Sequence, residues 1–168
     1  VRLGPEMRST GEVMGHASSF GHAFIKANSA AGVALPTSGT VCISVNDFDK
    51  GAVSKIAREL HNLGFKIIGT GGTAKWLNSL GIETESVNKL SEGSPNILDL
   101  MLDGKIDLII NTPLGRQAHS EGMEIRSQAY ALGIPIVTTM SAAVASVQGI
   151  KRMHQKPLSV RSLQMHHA

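Results

Sequence analysis

From about residue 40 onward, short apolar runs alternate with longer stretches in which apolar residues return every three or four positions. The runs predict strands at Thr40–Val45, Phe65–Gly69, Glu83–Val87, Asp107–Asn111 and Pro135–Thr139. Between the first two, Val53, Ile56, Ala57, Leu60 and Leu63 follow the i, i+3, i+4, i+7 spacing of a helix with one buried face. Gly64, Gly81, Gly104 and Gly133 stand where a helix ends and the next strand begins, the position at which glycine closes a helix. Leu108-Ile109-Ile110 and Ile134–Val137 are apolar at successive positions, so both faces are buried, as in the central strands of a parallel sheet. Strand and helix alternating through short links predict an α/β fold: a doubly wound, five-stranded, mainly parallel sheet with helices on both faces.

The first 38 residues break this cadence. Phe20, Ala23, Phe24 and Ala27 share one helical face, Gly32 follows, and Ala31–Gly39 reads as a connector. Residues 1–16 hold too little apolar matter to fold alone. The expected division is 1–15 as the tail of another domain, 16–38 as a helix and linker, and 39–168 as a single domain, which makes the chain a piece of a longer one. Its 168 residues suffice for one domain with a real core. Aromatics at 4% mean that this core is aliphatic. The single cysteine, Cys42, allows no internal disulfide and fits a reducing compartment; its place in Val41-Cys42-Ile43 predicts a buried structural thiol. No run is long enough to span a membrane and no signal-peptide layout is present, so a cytoplasmic protein without a membrane partner is expected. The net charge of +3 is modest. Lys151, Arg152, Lys156 and Arg161 gather near the C-terminus without aromatic neighbours, which predicts a solvated face and no nucleic-acid partner.

The candidate chemistry centres on Thr70-Gly71-Gly72-Thr73, between a predicted strand and the helix that begins with Ala74-Lys75-Trp76-Leu77. Unpaired amides and the positive end of a helix dipole converge at such a turn, and small side chains let a phosphate or carboxylate come close. In a doubly wound sheet, ligands bind beyond the carboxyl ends of the strands. Those ends carry Asn46, Asp47, Asp49 and Lys50 after the first strand, Asn88 and Lys89 after the third, and Asn111, Thr112 and Pro113 after the fourth. Lysines, hydroxyls, amides and a helix start on one rim suit a phosphate monoester that bears a polar group. Taken one at a time, Lys50 and Lys89 also read as solvated lysines, Thr70 and Thr73 as turn and N-cap residues, and Asn111 as the cap of a strand end; the shared rim favours a site. Charge-assisted hydrogen bonds are worth about 1.5–3 kcal/mol each, enough for two lysines and the turn to hold such a ligand at micromolar concentration. No Ser/His/acid arrangement, P-loop or metal-ligand spacing of Cys or His appears, so no metal is expected. Asp47 and Asp49 fit the role of favouring the following helix start, and a binding module fits better than a catalyst.

The order of motifs resembles one family. Pro5-Glu6-Met7-Arg8-Ser9-Thr10-Gly11-Glu12-Val13-Met14-Gly15 is similar to the end of the second ATP-grasp unit in large chains of carbamoyl phosphate synthetase. Phe20–Lys26, Leu35-Pro36, Ser38-Gly39, Val87-Asn88-Lys89, Glu92-Gly93, Ile110-Asn111-Thr112-Pro113-Leu114-Gly115-Arg116 and Thr138-Thr139 continue the likeness in order, over essentially the whole chain. It implies the C-terminal allosteric domain, of methylglyoxal-synthase-like fold, behind a short upstream tail. The resemblance further implies an oligomeric parent enzyme that makes carbamoyl phosphate from bicarbonate, glutamine-derived ammonia and two ATP, for pyrimidine and arginine synthesis. That parent works with a glutaminase small subunit, and its ATP, with Mg or Mn, binds upstream, so no cofactor or catalytic residue is expected in this fragment.

The family's effector pocket takes nucleoside monophosphates, UMP as an inhibitor and IMP as an activator. Its contacts carry over to Lys50, Thr70, Gly71, Gly72, Thr73, Lys89, Asn111 and Thr112. Pro113 replaces a hydroxyl that binds phosphate in some relatives. Ornithine, where it acts, uses a tyrosine and a threonine near the last strand; Ile136 and Thr138 stand there, leaving Thr138 as the residue for a second effector. Two related activities set the alternatives. Methylglyoxal synthase resembles a lyase with an aspartate base after the third strand, where this chain has Ser94. The cyclohydrolase of purine synthesis carries a Lys-Thr-Leu-His-Pro run where Gly93-Ser94-Pro95-Asn96 stands here. An oligomerisation scaffold with an unused pocket is the third reading.

Overall fold

The structure is a computed structural model that describes residues 11–162, 164 and 165. The expected upstream tail therefore lies outside the described residues except for its last five positions, as does the terminal pair His166-His167. Helix α1 (Phe20–Ala30) precedes a regular alternation: β1 (Thr40–Val45), α2 (Lys50–Asn62), β2 (Lys66–Thr70), α3 (Gly71–Ser79), β3 (Glu85–Val87), α4 (Ile97–Leu102), β4 (Leu108–Thr112), α5 (Arg116–Ala131), β5 (Ile136–Val137) and α6 (Met140–Gln155). The five strands form one sheet in the order β3-β2-β1-β4-β5, and every pairing is parallel. The doubly wound α/β expectation therefore holds, with no antiparallel member.

Alternation within the strands assigns the helices to faces. Val41 and Ile43, Ile67, and Leu108 and Ile110 point to the side covered by α1, α2, α3 and α6, where they meet Ile25, Val53, Ile56, Leu60, Leu77, Val147 and Ile150. Cys42, Ile68 and Ile109 point to the other side and pack on Ile97, Met101, Ile125 and Ala129 of α4 and α5. Both cores are aliphatic apart from Phe65 and the half-buried Phe24. Burial pushes the Cys42 thiol up to about 12, as fits a structural cysteine.

Several expected boundaries shift for local reasons. Strand β3 begins at Glu85 because the Thr84 backbone is taken by Asn78, whose side-chain oxygen accepts from Thr84 N (3.0 Å) and whose amide donates to Thr84 O (2.8 Å). Strand β5 ends at Val137 because Thr139 instead caps α6, its hydroxyl oxygen accepting from Ala142 N at 3.2 Å. Helix α1 buries Gly21 and Ile25, while Phe20 stays 65% exposed, so its inward face is turned from the one expected. Close approach to α6 decides this: a methyl group on Gly21 would stand 3.0 Å from Gln148 O, and one on Gly149 would stand 2.5 Å from Ile25 Cγ1. At the end of α2, Gly64 takes φ +88° and its N–H bonds to His61 O at 3.0 Å, the expected glycine closure.

Candidate functional site

The strand order reverses beside β1, whose neighbours are β2 on one side and β4 on the other. Beyond their carboxyl ends opens a cavity of about 640 Å³. Asn46, the residue after β1, holds the floor together. Its side-chain oxygen accepts from Phe48 N (2.9 Å) and Asp49 N (3.2 Å), and its amide donates to Asp49 Oδ2 (2.7 Å) and Thr112 O (3.1 Å). The end of β1 is thereby tied to the end of β4 and bent through a short 3-10 turn, Asp47–Asp49, into α2.

That turn delivers Lys50 to the first position of α2. Its ammonium contacts Asp47 Oδ1 at 2.7 Å, and a methyl group on Gly72 would lie 3.7 Å from Nζ, so the charge hangs over the glycine turn before α3. The contact and charge of Lys50 hold the Asp47 carboxyl below the usual carboxylate range, and Lys89 adds a weaker pull. Trp76 on α3 clamps the same helix start, its indole N–H donating to Lys50 O (3.1 Å) and Ser54 Oγ (2.9 Å).

The Thr70–Thr73 turn is built inward. Thr70 is the N-cap residue of α3, yet its hydroxyl donates to Ser44 Oγ (3.2 Å) on β1 and bonds no α3 amide. Thr73, one of the two expected cap residues, lies within the first turn and accepts from Val45 N at 3.3 Å. The α3 start carries neither a side-chain cap nor an acidic residue, so its positive end remains open to an anion. Gly69 permits this packing, since a methyl group there would stand 3.1 Å from Ile43 O and 3.3 Å from Ala74 N.

Lys50, Thr70, Gly72, Thr73, Lys89, Asn111 and Thr112 all line the cavity; Gly71 and Thr138 do not. Gly71 turns away at the first residue of α3, and Thr138 is exposed beyond β5, separated from β1 by β4. Asp49 is spent on Asn46, and Asn88 makes a bridge with Asn96. Thr112 serves the floor through Asn46, whereas no hydrogen bond holds the Asn111 side chain among the described residues, leaving its amide for a ligand. Gly122 on α5 leaves room for that amide, for a methyl group there would stand 3.3 Å from Asn111 Nδ2.

Phe48, Arg116 and Glu121 are among the further residues that line the cavity without having been expected there. Arg116 opens α5 directly after the Pro113–Gly115 loop, and a cation just past the β4 end was the signal for it. Phe48 is 86% exposed at the mouth. Ser94, which stands where the lyase reading requires an aspartate base, donates to Asp99 Oδ2 at 2.7 Å. That contact, with the Asn96 amide second, holds the Asp99 carboxyl below its usual range.

Residues 52–138 match the model of the MGS-like domain family. The chain is 51% identical over 166 residues to the carbamoyl phosphate synthase large chain of Acidobacterium capsulatum, covering 99% of this chain and 15% of that one. It is also 51% identical over 162 residues to the C-terminal section of the same large chain in Methanopyrus kandleri, covering 96% of this chain and 30% of that section. The chain thus spans well under a third of the first relative's length and under a third of the second's. A methylglyoxal synthase from Elizabethkingia anophelis has the same fold, with a TM-score of 0.55 at 18% identity over 68% of this chain and 79% of that one. Open α3 start, overhanging lysine and reversed strand order thus sit on a shared architecture, and the chain belongs to the MGS-like domain family, in the form found in carbamoyl phosphate synthase large chains.

Proposed function

We propose that this chain is the allosteric domain of a carbamoyl phosphate synthetase large chain and that its cavity binds a nucleoside monophosphate, UMP as inhibitor or IMP as activator. The observation that carries this reading is the placement of Lys50 Nζ over the uncapped start of α3, with Lys89 and the unengaged Asn111 amide lining the same cavity. Phosphate would bridge Lys50, the glycine turn and Lys89, while Asn111 meets the polar part of the ligand. A ligand held this way acts on the catalytic part of the parent only through a difference in affinity between two states, typically about 1–3 kcal/mol.

The parent reaction, carbamoyl phosphate formation from bicarbonate, glutamine-derived ammonia and two ATP, belongs to the rest of the large chain, together with the glutaminase small subunit. Among the described residues no three carboxylate, His or Cys groups converge to hold a metal, and ATP with its Mg or Mn is assigned upstream. A lyase reading fares worse, because Ser94 already donates to Asp99 and a hydroxyl is no base near neutral pH. Calorimetric titration of the 168-residue chain with UMP and with IMP tests the proposal. Saturable binding of either is the expected result, and no heat from both at millimolar ligand refutes it.

A further inference from the structure

A second cavity, about 790 Å³, lies between the start of α1 and the end of α6. His154 of α6 bonds to Thr37 O just ahead of β1 (2.7 Å), so this cleft sits toward the amino ends of the strands, opposite the first site. Lys26, Arg152, Lys156 and Arg161 line it, and no carboxylate does among the described residues. The group of basic residues near the C-terminus, expected as a solvated face, is thus divided. Lys151 pairs with Glu59 at 3.4 Å, while the other three join Lys26 around a cavity. Four cations here outnumber the +3 net charge of the whole chain. Gathering them without a counter-ion costs mutual repulsion, which an anion would relieve.

An independent feature points the same way. Ser19, the N-cap residue of α1, lines the cleft and makes no cap hydrogen bond, so the helix start is uncapped. The first turn of α1 carries no acidic residue, and the amide of His22, which also lines the cleft, has no partner outside its own helix among the described residues. The lysine and arginine that do make contacts spend them on neutral groups: Lys26 Nζ on His16 O (3.0 Å) and Arg152 Nη1 on Gln155 Oε1 (3.1 Å).

We propose that this cleft binds a phosphate-bearing anion, with Lys26, Arg152, Lys156 and Arg161 as charge partners and the His22 amide at the α1 start as a hydrogen-bond donor. A compact anion with several charged oxygens meets the four cations together, whereas an acidic peptide brings one carboxylate at a time. The site is independent of the nucleotide cavity and stands without it.

The test is titration of pyrophosphate into the 168-residue chain carrying Lys50→Ala, which removes the anchor of the first site. Calorimetry is combined with the amide resonance of His22. The expected result is saturable, salt-sensitive binding that shifts that amide and weakens at least about tenfold in Arg152→Glu/Lys156→Glu. Both side chains are exposed, so the fold should survive; Arg152→Gln/Lys156→Gln replaces the pair if charge reversal lowers the melting temperature. A nucleoside triphosphate that binds more tightly than pyrophosphate would identify the source as a nucleotide, and equal affinity a free polyphosphate. The proposal is overturned by no saturation at millimolar pyrophosphate, by unchanged affinity in the double variant, or by a glutamate-rich peptide binding where pyrophosphate does not.

Discussion

Replacing Lys50 by alanine separates what this side chain does for a ligand from what it does for the fold. As the first residue of α2, its ammonium stands at the positive end of that helix, which costs about 0.3–1 kcal/mol. The contact with the exposed Asp47 carboxylate works the other way, so the fold should keep its stability or gain slightly without Lys50. Binding should suffer instead. A charge-assisted bond to phosphate is worth about 1.5–3 kcal/mol, and the lower end applies because the ligand must draw the ammonium away from Asp47. About 1.5 kcal/mol corresponds to roughly a tenfold rise in Kd. Trp76 supplies the readout: it is the only tryptophan, and its indole bonds to the Lys50 carbonyl and to Ser54, so its emission should respond when the α2 start is engaged. UMP would be titrated against Trp76 fluorescence and calorimetry, with melting curves for parent and variant. An unchanged Kd would remove Lys50 from the site. A stability loss above about 2 kcal/mol would mean that the residue serves the fold, contrary to the dipole argument.

Three further outcomes are expected. Gly69→Ala should cost about 1–3 kcal/mol and weaken UMP binding, because the added methyl meets backbone atoms of Ile43 and Ala74 on both sides; urea titration and calorimetry check it, and a neutral result would mean that β1 and α3 can part. The depressed pKa of Asp99 contributes stability that is present above its ordinary value of 3.8 and is lost as pH falls through the lowered value. Asp99→Asn should therefore melt below the parent near neutral pH, with the gap closing in acid; a gap that widens in acid would reverse the sign of the argument. Cys42, buried with its thiol raised to about 12, should react with a disulfide reagent only as fast as the chain unfolds, so that urea accelerates labelling and reagent concentration does not.

Much of the site was legible because its residues follow strand ends directly. Lys50, Thr70, Thr73, Lys89 and Asn111 were expected at the crevice and all line it. Gly71 was expected with them and does not line the cavity, and Thr138, expected to serve a second effector, lies apart from it as well. Sequence adjacency to Gly72 says nothing about which side of the turn Gly71 presents. Asn111 lies within β4, an interior strand, whereas Thr138 follows β5, the edge strand beyond β4. Arg116 carries a sequence signal as a cation just past the β4 end, but Glu121 carries none, because α5 reaches the cavity by packing across the sheet face, with Gly122 letting it approach Asn111, and a single-chain pattern does not encode that distance. The inward face of α1 departs from the expected Phe20 stripe for a similar reason, since hydrophobicity favours the aromatic rings while the tight approach to α6 requires glycine.

By itself the sequence determined the elements and their class. Apolar runs broken at regular intervals by helical spacing and closing glycines leave a parallel, two-faced sheet as the way to bury an aliphatic core, because each strand must hide both sides and each crossover supplies a helix. Tertiary structure decided which strand ends share a crevice and where excess charge collects. Strand order, set by packing between distant segments, brought Asn46 against Thr112 and Lys50 over Gly72. The packing of α1 on α6 likewise turned a dispersed set of basic residues into a cleft with Lys26 on one wall and Arg152 and Lys156 on the other. Periodicity reports the face a residue occupies, and only the folded chain reports its neighbours.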